Sequence, residues 1–139
     1  MAARLSLIVF ANRDHLDVLI VERSDIVRNR LNEMLRDIDG VAVVGQTGDP
    51  DTGNALAARL KPDVIILDAR APEGKGMNLL QSVKHIDPAP CVVVLTDDAY
   101  PENRQNCMDH GADYFFDKST EFQSAVSLVM GMAHRLSAH

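Results

Sequence analysis

The stretch DVIILD, residues 63 to 68, is an apolar run that ends in a carboxylate. A short, continuous aliphatic run rich in β-branched residues is typical of a strand that is covered on both faces of a sheet. Four other runs read as strands: LDVLIV (16 to 21), VAVVG (41 to 45), CVVVLT (91 to 96) and DYFF (113 to 116). The sequence therefore predicts five short strands.

Amphipathic segments lie between these runs and predict five helices. They begin after Ser24, which can cap a first turn, and at Asp49–Pro50 (to Leu60), Gly76 (to Ile86), Pro101 (to Gly111) and about Phe122. The fourth helix is mostly polar, so we expect it to be solvated and weakly held. Strict alternation of strands and helices predicts an α/β fold, a doubly wound parallel sheet with helices on both faces.

Composition excludes several classes of protein. The 139 residues are 46% hydrophobic, which suits one domain, and the net charge is -6 without a Lys/Arg cluster that could track a phosphate backbone. Direct binding of nucleic acid is therefore disfavoured. Cys91 and Cys107 lack the spacing of a disulfide framework or a zinc site, which favours a reduced, cytoplasmic protein.

The first residues differ from the rest of the chain. LSLIVFA (5 to 11) is apolar but too short to span a bilayer, so no membrane association is expected. We interpret residues 1–16 as an N-terminal arm or extra strand, residues 17–134 as the domain, and residues 135–139 as a tail.

Polar residues follow the strands at the edge where parallel sheets bind ligands. They are Glu22, Arg23 and Ser24; Asp68; Thr96, Asp97 and Asp98; and Asp117, Lys118 and Ser119. Each has a common structural explanation as a cap, a strand residue or a solvated charge. Together, however, Asp68, Thr96 and Lys118 supply a nucleophile, a hydroxyl and a cation, the parts that phosphoryl transfer needs.

The spacing of these residues resembles a known family. Asp68-x-x-x-Pro72-x-x-x-Gly76, then VVVLT ending at Thr96, then GADYFFDK (111 to 118) is similar to the receiver domain of bacterial two-component response regulators. The resemblance covers about residues 17 to 131. It implies a flavodoxin-like sheet with the strand order 2-1-3-4-5.

The resemblance also implies residue roles. Asp68 corresponds to the phosphoacceptor, Thr96 to the hydroxyl residue that moves toward the phosphoryl group, and Lys118 to the lysine that pairs with it. Phe115 corresponds to the aromatic switch residue whose rotamer reports activation. Glu22, Asp68 and the backbone carbonyl of Arg70 correspond to the Mg²⁺ ligands.

Arg23 departs from the family pattern, because it stands where a second acidic residue usually ligates the metal. A guanidinium about 4 Å from the metal position would repel each unit of ion charge by roughly 4 kcal/mol at an effective dielectric near 20. Arg23 therefore either points outward, leaving a weakened Mg²⁺ site, or turns inward to pair with Asp68 and replace the metal. A third interpretation is a solvated loop residue.

Two further positions depart from the pattern. Asp97 follows Thr96 where a small residue is common, and its charge beside an incoming phosphoryl group predicts slower chemistry. Ser119 follows Lys118 where the family usually has a cis proline. The Lys118–Ser119 bond is predicted to be trans, since a cis bond without proline is costly.

Three functional hypotheses follow. The first is a response regulator receiver that a sensor histidine kinase or phosphotransfer protein phosphorylates on Asp68, with no enzymatic activity beyond self-catalysed transfer and hydrolysis. It would signal through the fourth helix, fifth strand and fifth helix to a downstream protein or through a homodimer, because no output domain is visible. The second is a pseudo-receiver, a protein-binding module in which Arg23 replaces the metal. The third, a flavodoxin-like cofactor protein, is disfavoured because ERSDIVRN (22 to 29) lacks a phosphate-binding Gly/Ser/Thr loop.

Overall fold

Five parallel strands alternate with five helices in the structure, a computed structural model that describes residues 15–69 and 74–137. The elements are β1 (Leu16–Val21), α1 (Asp25–Arg36), β2 (Val41–Thr47), α2 (Pro50–Leu60), β3 (Val64–Leu67), α3 (Lys75–Val83), β4 (Cys91–Thr96), α4 (Pro101–Asp109), β5 (Tyr114–Asp117) and α5 (Phe122–Ser137). The strand order is β2-β1-β3-β4-β5. The predicted doubly wound sheet and its order are confirmed.

The core lies on both faces of the sheet, because successive strand residues point to opposite sides. On one face, residues such as Leu19, Ile65 and Val94 pack against α2, α3 and α4. On the other, residues such as Ile20 and Ile66 pack against α1 and α5. Each fully buried aliphatic side chain contributes about 1.5–3 kcal/mol to folding.

The helix starts follow the capping pattern of the sequence. The Ser24 hydroxyl accepts a hydrogen bond from the Val27 N–H at 3.3 Å and begins α1. The Asp49 carboxylate accepts one from the Thr52 N–H at 3.0 Å, and Pro50 occupies the first turn of α2. Both predicted starts are confirmed, since each side chain satisfies a backbone donor that the helix leaves free.

Two helices end earlier than predicted. α3 ends at Val83 rather than at Ile86, because the His85 and Ile86 N–H groups donate to the carbonyls three residues back, Ser82 and Val83, instead of continuing the α-helical pattern. α4 ends at Asp109 rather than at Gly111. Among the described residues of α4, Cys107 is the one that is buried, as the polar composition of this helix predicts.

The first and last regular elements of the described residues begin at Leu16 and end at Ser137. Leu16 is the first residue of β1, and α5 continues to Ser137, so the predicted tail of residues 135–139 begins inside a helix. The rest of the predicted arm, residues 1–14, lies outside the described residues. Within the described ranges, no helix combines the length and the apolar character that crossing a membrane requires.

Candidate functional site

The predicted site residues meet at the carboxyl edge of the sheet. Backbone hydrogen bonds hold three of them to neighbouring strands: Glu22 N–H donates to the Thr47 carbonyl at 3.0 Å, and Asp68 N–H donates to the Val21 carbonyl at 2.8 Å. Lys118 N–H donates to the Thr96 carbonyl at 2.9 Å. The sheet register therefore brings Glu22, Asp68, Thr96 and Lys118 to one edge, as the sequence predicts.

Lys118 links the two carboxylates of the site. Its Nζ lies 2.8 Å from Glu22 Oε1 and 3.4 Å from Asp68 Oδ2. The side chains of Lys118, Glu22 and Asp68 are only 9%, 1% and 6% exposed. We call these three residues the ion-paired half of the site. Its lysine is closer to Glu22 than to the predicted phosphoacceptor.

Burial and charge act in opposite directions on these groups. Burial raises the pKa of Glu22, and the Asp68 charge adds to the effect, while the Lys118 ammonium and the Ser24 N–H offset part of it. For Lys118, burial alone would lower the pKa, but the Glu22 and Asp68 carboxylates outweigh it and the net pKa is raised. Lys118 is therefore a permanent cation at neutral pH.

Glu22 is positioned by Ser24, which caps α1, and by Arg28 within α1. The Ser24 N–H donates to Glu22 Oε2 at 2.8 Å, and Arg28 Nη1 donates to the Glu22 backbone carbonyl at 2.8 Å. The Ser24 hydroxyl caps α1 at the same time, so the helix start and the carboxylate position are coupled. Arg28 was not predicted as a site residue, because nothing in the sequence distinguishes it from a solvated helix arginine.

Arg23 is exposed, in contrast to Glu22 beside it. Lys118 lies within ion-pair distance of Asp68. The exposure of Arg23 favours the outward geometry over the one in which it turns inward to Asp68. Asp97 is exposed as well, and its charge is one of the smaller factors that raise the pKa of Lys118.

Thr96 is fully buried and connects to α4 through the following loop. The Asp98 N–H donates to Thr96 Oγ1 at 3.1 Å, and Asn103 Nδ2 of α4 donates to the Asp98 carbonyl at 2.6 Å. We call Thr96, Asp98 and Asn103 the hydroxyl half of the site. Asn103 was not predicted, because it reads as one polar residue among many in α4.

Phe115 is buried in β5 and contacts α4. The Arg104 guanidinium lies 5.5 Å from the centre of the Phe115 ring, a cation–π distance. The predicted switch residue therefore packs against an arginine of α4 that the sequence did not single out.

The turns on either side of the site have distinct causes. Gly76 lies in the first turn of α3 beside Ala69, and a Cβ at this position would lie 2.3 Å from the Ala69 carbonyl oxygen, so only glycine permits this approach. After β5, the Ser119 N–H and hydroxyl donate to Asp117 Oδ1 at 2.9 and 2.7 Å. Within the described ranges the cis bond is Asp87–Pro88, so the Lys118–Ser119 bond is trans.

Comparison with known proteins agrees with this geometry. The model of the response regulator receiver domain family matches residues 18–129. This chain belongs to that family. Response regulator GacA of Pseudomonas aeruginosa is 32% identical over 115 residues, which are 81% of this chain and 52% of GacA. The chain thus spans about half the length of that relative.

Solved receiver structures share the fold. The receiver domain of NarL from Mycobacterium tuberculosis superposes with a TM-score of 0.78 at 22% identity, over 88% of this chain and 98% of that one. The response regulator domain of Thermotoga maritima CheB gives a TM-score of 0.73 at 21% identity, over 90% and 98% of the two chains. The flavodoxin-like fold of the receiver is confirmed.

Receiver domains usually bind Mg²⁺, and the described residues fit such an ion in part. Glu22 Oε1 is a buried carboxylate oxygen that lies 2.8 Å from the Lys118 ammonium. Mg²⁺ is held by one or two carboxylates and several waters, which Glu22 and Asp68 match. Within residues 15–69 and 74–137 no cluster of three acidic, His or Cys ligands converges. Arg70, the predicted carbonyl ligand, lies outside the described residues.

Proposed function

We propose that this receiver accepts a phosphoryl group on Asp68 from the phosphohistidine of a sensor histidine kinase or phosphotransfer protein. The observation that carries the proposal is the Lys118–Asp68 contact of 3.4 Å at the carboxyl edge of the sheet, beside the buried Thr96. An Asp68 oxygen bonds to phosphorus as the bond from phosphorus to the donor nitrogen breaks. The electron pair remains on that nitrogen.

Lys118 stabilises the charge that develops in this reaction. The phosphoryl oxygens gather negative charge, and a cation that is already in place loses little energy in reorganising. Because the Lys118 side chain is only 9% exposed, water screens this attraction weakly. The Thr96 hydroxyl can donate to a phosphoryl oxygen while its own oxygen still accepts a hydrogen bond.

We also propose that Glu22 and Asp68, with the Arg70 carbonyl, hold Mg²⁺ at a weakened site. The ion would neutralise charge on the phosphoryl oxygens when bound. Lys118 already neutralises Glu22, so the ammonium must give up its 2.8 Å contact for this carboxylate to serve as a ligand. The exposed Arg23 adds a positive charge near the same edge and opposes the ion without filling its position.

The pseudo-receiver alternative receives less support. It requires Arg23 to replace the metal beside Asp68, whereas Arg23 is exposed and Lys118 Nζ lies 3.4 Å from Asp68 Oδ2. The exposed position of Arg23 is compatible with a usable phosphoacceptor.

Output through α4, β5 and α5 is proposed because large apolar side chains are exposed there. Tyr100, which precedes α4, is 73% exposed, and Met108, Tyr114 and Met130 on α4, β5 and α5 are 38 to 40% exposed. Such side chains favour a protein–protein contact, either with a downstream protein or with a second copy of this chain.

The phosphoacceptor is tested by incubating the protein with acetyl phosphate and Mg²⁺ and measuring intact mass. We expect a gain of one phosphoryl group in the wild type and none in Asp68→Asn. Asp63→Asn is a matched control, because Asp63 is equally buried, at 6% exposure, but lies at the opposite edge of the sheet. A wild type that gains no mass, or an Asp68→Asn variant that still does, would contradict the proposal.

A further inference from the structure

The loop between β4 and α4 is fixed through both backbone groups of one residue, Asp98. Asp98 donates its N–H to the Thr96 hydroxyl oxygen at 3.1 Å and receives the Asn103 amide on its carbonyl at 2.6 Å. Both bonds are partly buried, so water competes weakly for them. A continuous hydrogen-bonded path therefore runs from the site hydroxyl to helix α4.

Asn103 also helps to attach α4 to the domain. It lies one helical turn before Cys107, the buried residue of α4, and its Oδ1 is 3.9 Å from the Cys107 sulfur. Residues four apart in a helix share a face. Asn103 and Cys107 thus lie on the inward face of α4 at this end, and the hydrogen bond to Asp98 attaches this face to the β4–α4 loop.

From these contacts we infer that Asn103 is a positioning residue for the Thr96 hydroxyl. By holding the Asp98 carbonyl, Asn103 keeps the Asp98 N–H on one lone pair of Thr96 Oγ1. This orients the hydroxyl hydrogen away from Asp98 and leaves it for another acceptor. The inference rests on the proposed phosphorylation of Asp68, which supplies that acceptor as a phosphoryl oxygen.

The same path is poised to open. Thr96 Oγ1 is the acceptor of the Asp98 N–H, and a partly buried donor that loses its acceptor is costly. When Thr96 moves toward a phosphoryl oxygen, the Asp98 N–H loses its acceptor. The loop then retains the Asn103 bond alone against this cost, so the change at the site reaches α4 through Asn103.

Amide hydrogen exchange measured by NMR on the full chain tests the path without phosphorylation. Asn103→Asp removes the amide donor at nearly constant size, and Asn103→Ala removes the whole group. In both variants we expect the Asp98 amide to exchange at least about five-fold faster, the factor that corresponds to one hydrogen bond of ~1 kcal/mol. Asn103→Gln, which keeps the donor, should restore part of the protection.

A matched control lies on β2. The Asp49 N–H donates to Thr47 Oγ1 at 3.1 Å, the same spacing and distance as the Asp98–Thr96 bond. Thr47→Val should release the Asp49 amide alone, and Thr96→Val the Asp98 amide. If Asp98 exchange is unchanged in Asn103→Asp and Asn103→Ala, the positioning role is wrong, whatever happens at Asp68.

The phosphorylated state provides the second measurement. With acetyl phosphate and Mg²⁺, we expect the Asp98 amide of the wild type to lose protection, and the phosphorylation rate of Asn103→Asp to fall about three- to ten-fold while Asp68 remains the acceptor. If the wild type takes up no phosphoryl group, the proposed function fails and the exchange results still decide the Asn103 path. If phosphorylation occurs but the Asn103 variants match the wild-type rate and exchange, the inference is overturned.

Discussion

The two halves of the site differ in how firmly the fold holds them. The residues of the ion-paired half, Glu22, Asp68 and Lys118, directly follow β1, β3 and β5, and all three side chains are less than 10% exposed. The hydroxyl half connects Thr96, the last residue of β4, through a loop to α4, a helix that buries Cys107. The charged groups are thus placed at the ends of buried strands, whereas the hydroxyl half reaches an element that buries little apolar surface, which favours local opening.

The helices on the two faces show the same difference. α5 contributes several buried side chains to the core: Ala125, Val126, Val129, Ala133 and Leu136. α4 contributes one, Cys107, and further contacts come from polar side chains such as Asn103 and Arg104. Because local opening follows the apolar area that an element buries, amides of α4 should exchange faster than those of α5.

The largest expected effect comes from the ion-paired half. Lys118→Met leaves Glu22 and Asp68 buried without their cation, and breaking a buried pair in this way costs about 3–5 kcal/mol of unfolding free energy. Urea denaturation at pH 7 measures the loss. The double variant Glu22→Gln/Lys118→Met should recover most of it, because one uncompensated charge is gone. A loss below ~1 kcal/mol would mean that this half is solvated.

The same variant has a predicted pH dependence. The raised pKa of Glu22 means that the folded state favours its protonated form. The stability associated with Glu22 therefore falls as the pH rises from the ordinary pKa of a glutamate through the pKa of Glu22 in the folded protein. Removing Lys118 deletes a charge that lowers this pKa. The deficit of Lys118→Met should therefore shrink as the pH falls below neutral. In the wild type, the raised pKa of Lys118 makes its contribution complete below its ordinary pKa and lost above the folded value.

Gly76→Ala tests whether the start of α3 belongs to the rigid part. The new Cβ would lie 2.3 Å from the Ala69 backbone oxygen, and neither the strand end nor the helix can move freely, so we expect a loss of ~1–3 kcal/mol. Gly131→Ala in α5 is the control, because its Cβ meets only the Arg135 guanidinium at 3.7 Å. It should stabilise by up to about 1 kcal/mol. Equal effects in thermal unfolding would show that the contact with Ala69 relaxes.

Sequence reasoning found most of the fold because strands and caps are local patterns. Short aliphatic runs specified the strands, and Ser24 and Asp49 specified two helix starts. It placed Asp68, Thr96 and Lys118 at one edge because parallel strands share a carboxyl end. A sequence does not give distances between side chains, so sequence reasoning did not find that Lys118 lies nearer to Glu22 than to Asp68.

The residues that sequence reasoning missed act through side-chain hydrogen bonds to the backbone of a nearby loop. Arg28 and Asn103 each donate to a backbone carbonyl five or six residues away in the chain, across the turn between a strand and the next helix. No periodicity or motif marks such a donor. The direction of Arg23 was also open, because a residue after a strand can face the crevice or solvent; in the structure Arg23 is exposed.

Arg23→Asp tests how an exposed charge outside the ion-paired half affects Mg²⁺ binding. The exchange removes a positive charge at the edge and adds a negative one, so we expect Mg²⁺ affinity by calorimetric titration to rise roughly ten-fold for an exposed position. Arg59→Asp makes the same change in net charge in the last turn of α2, at the opposite edge of the sheet, and should leave the affinity unchanged. No gain in Arg23→Asp would place the guanidinium beyond electrostatic reach of the ion.

The smallest expected effect is the loss of a single cation–π contact. The molecule contains two similar contacts of this kind, one at α4 and one between α1 and α5, so the same substitution can be compared on both faces of the sheet. Arg104 of α4 lies 5.5 Å from the centre of the Phe115 ring of β5. Arg30 of α1 lies 4.8 Å from the centre of the Phe122 ring of α5. Replacing either arginine with Gln should cost about 0.5–1 kcal/mol in urea denaturation. Only Arg104→Gln should speed amide exchange throughout α4, because this helix buries too little apolar area to compensate. If Arg30→Gln opens α1 and α5 to the same degree, the two faces are equally stable and the contrast between the halves does not hold.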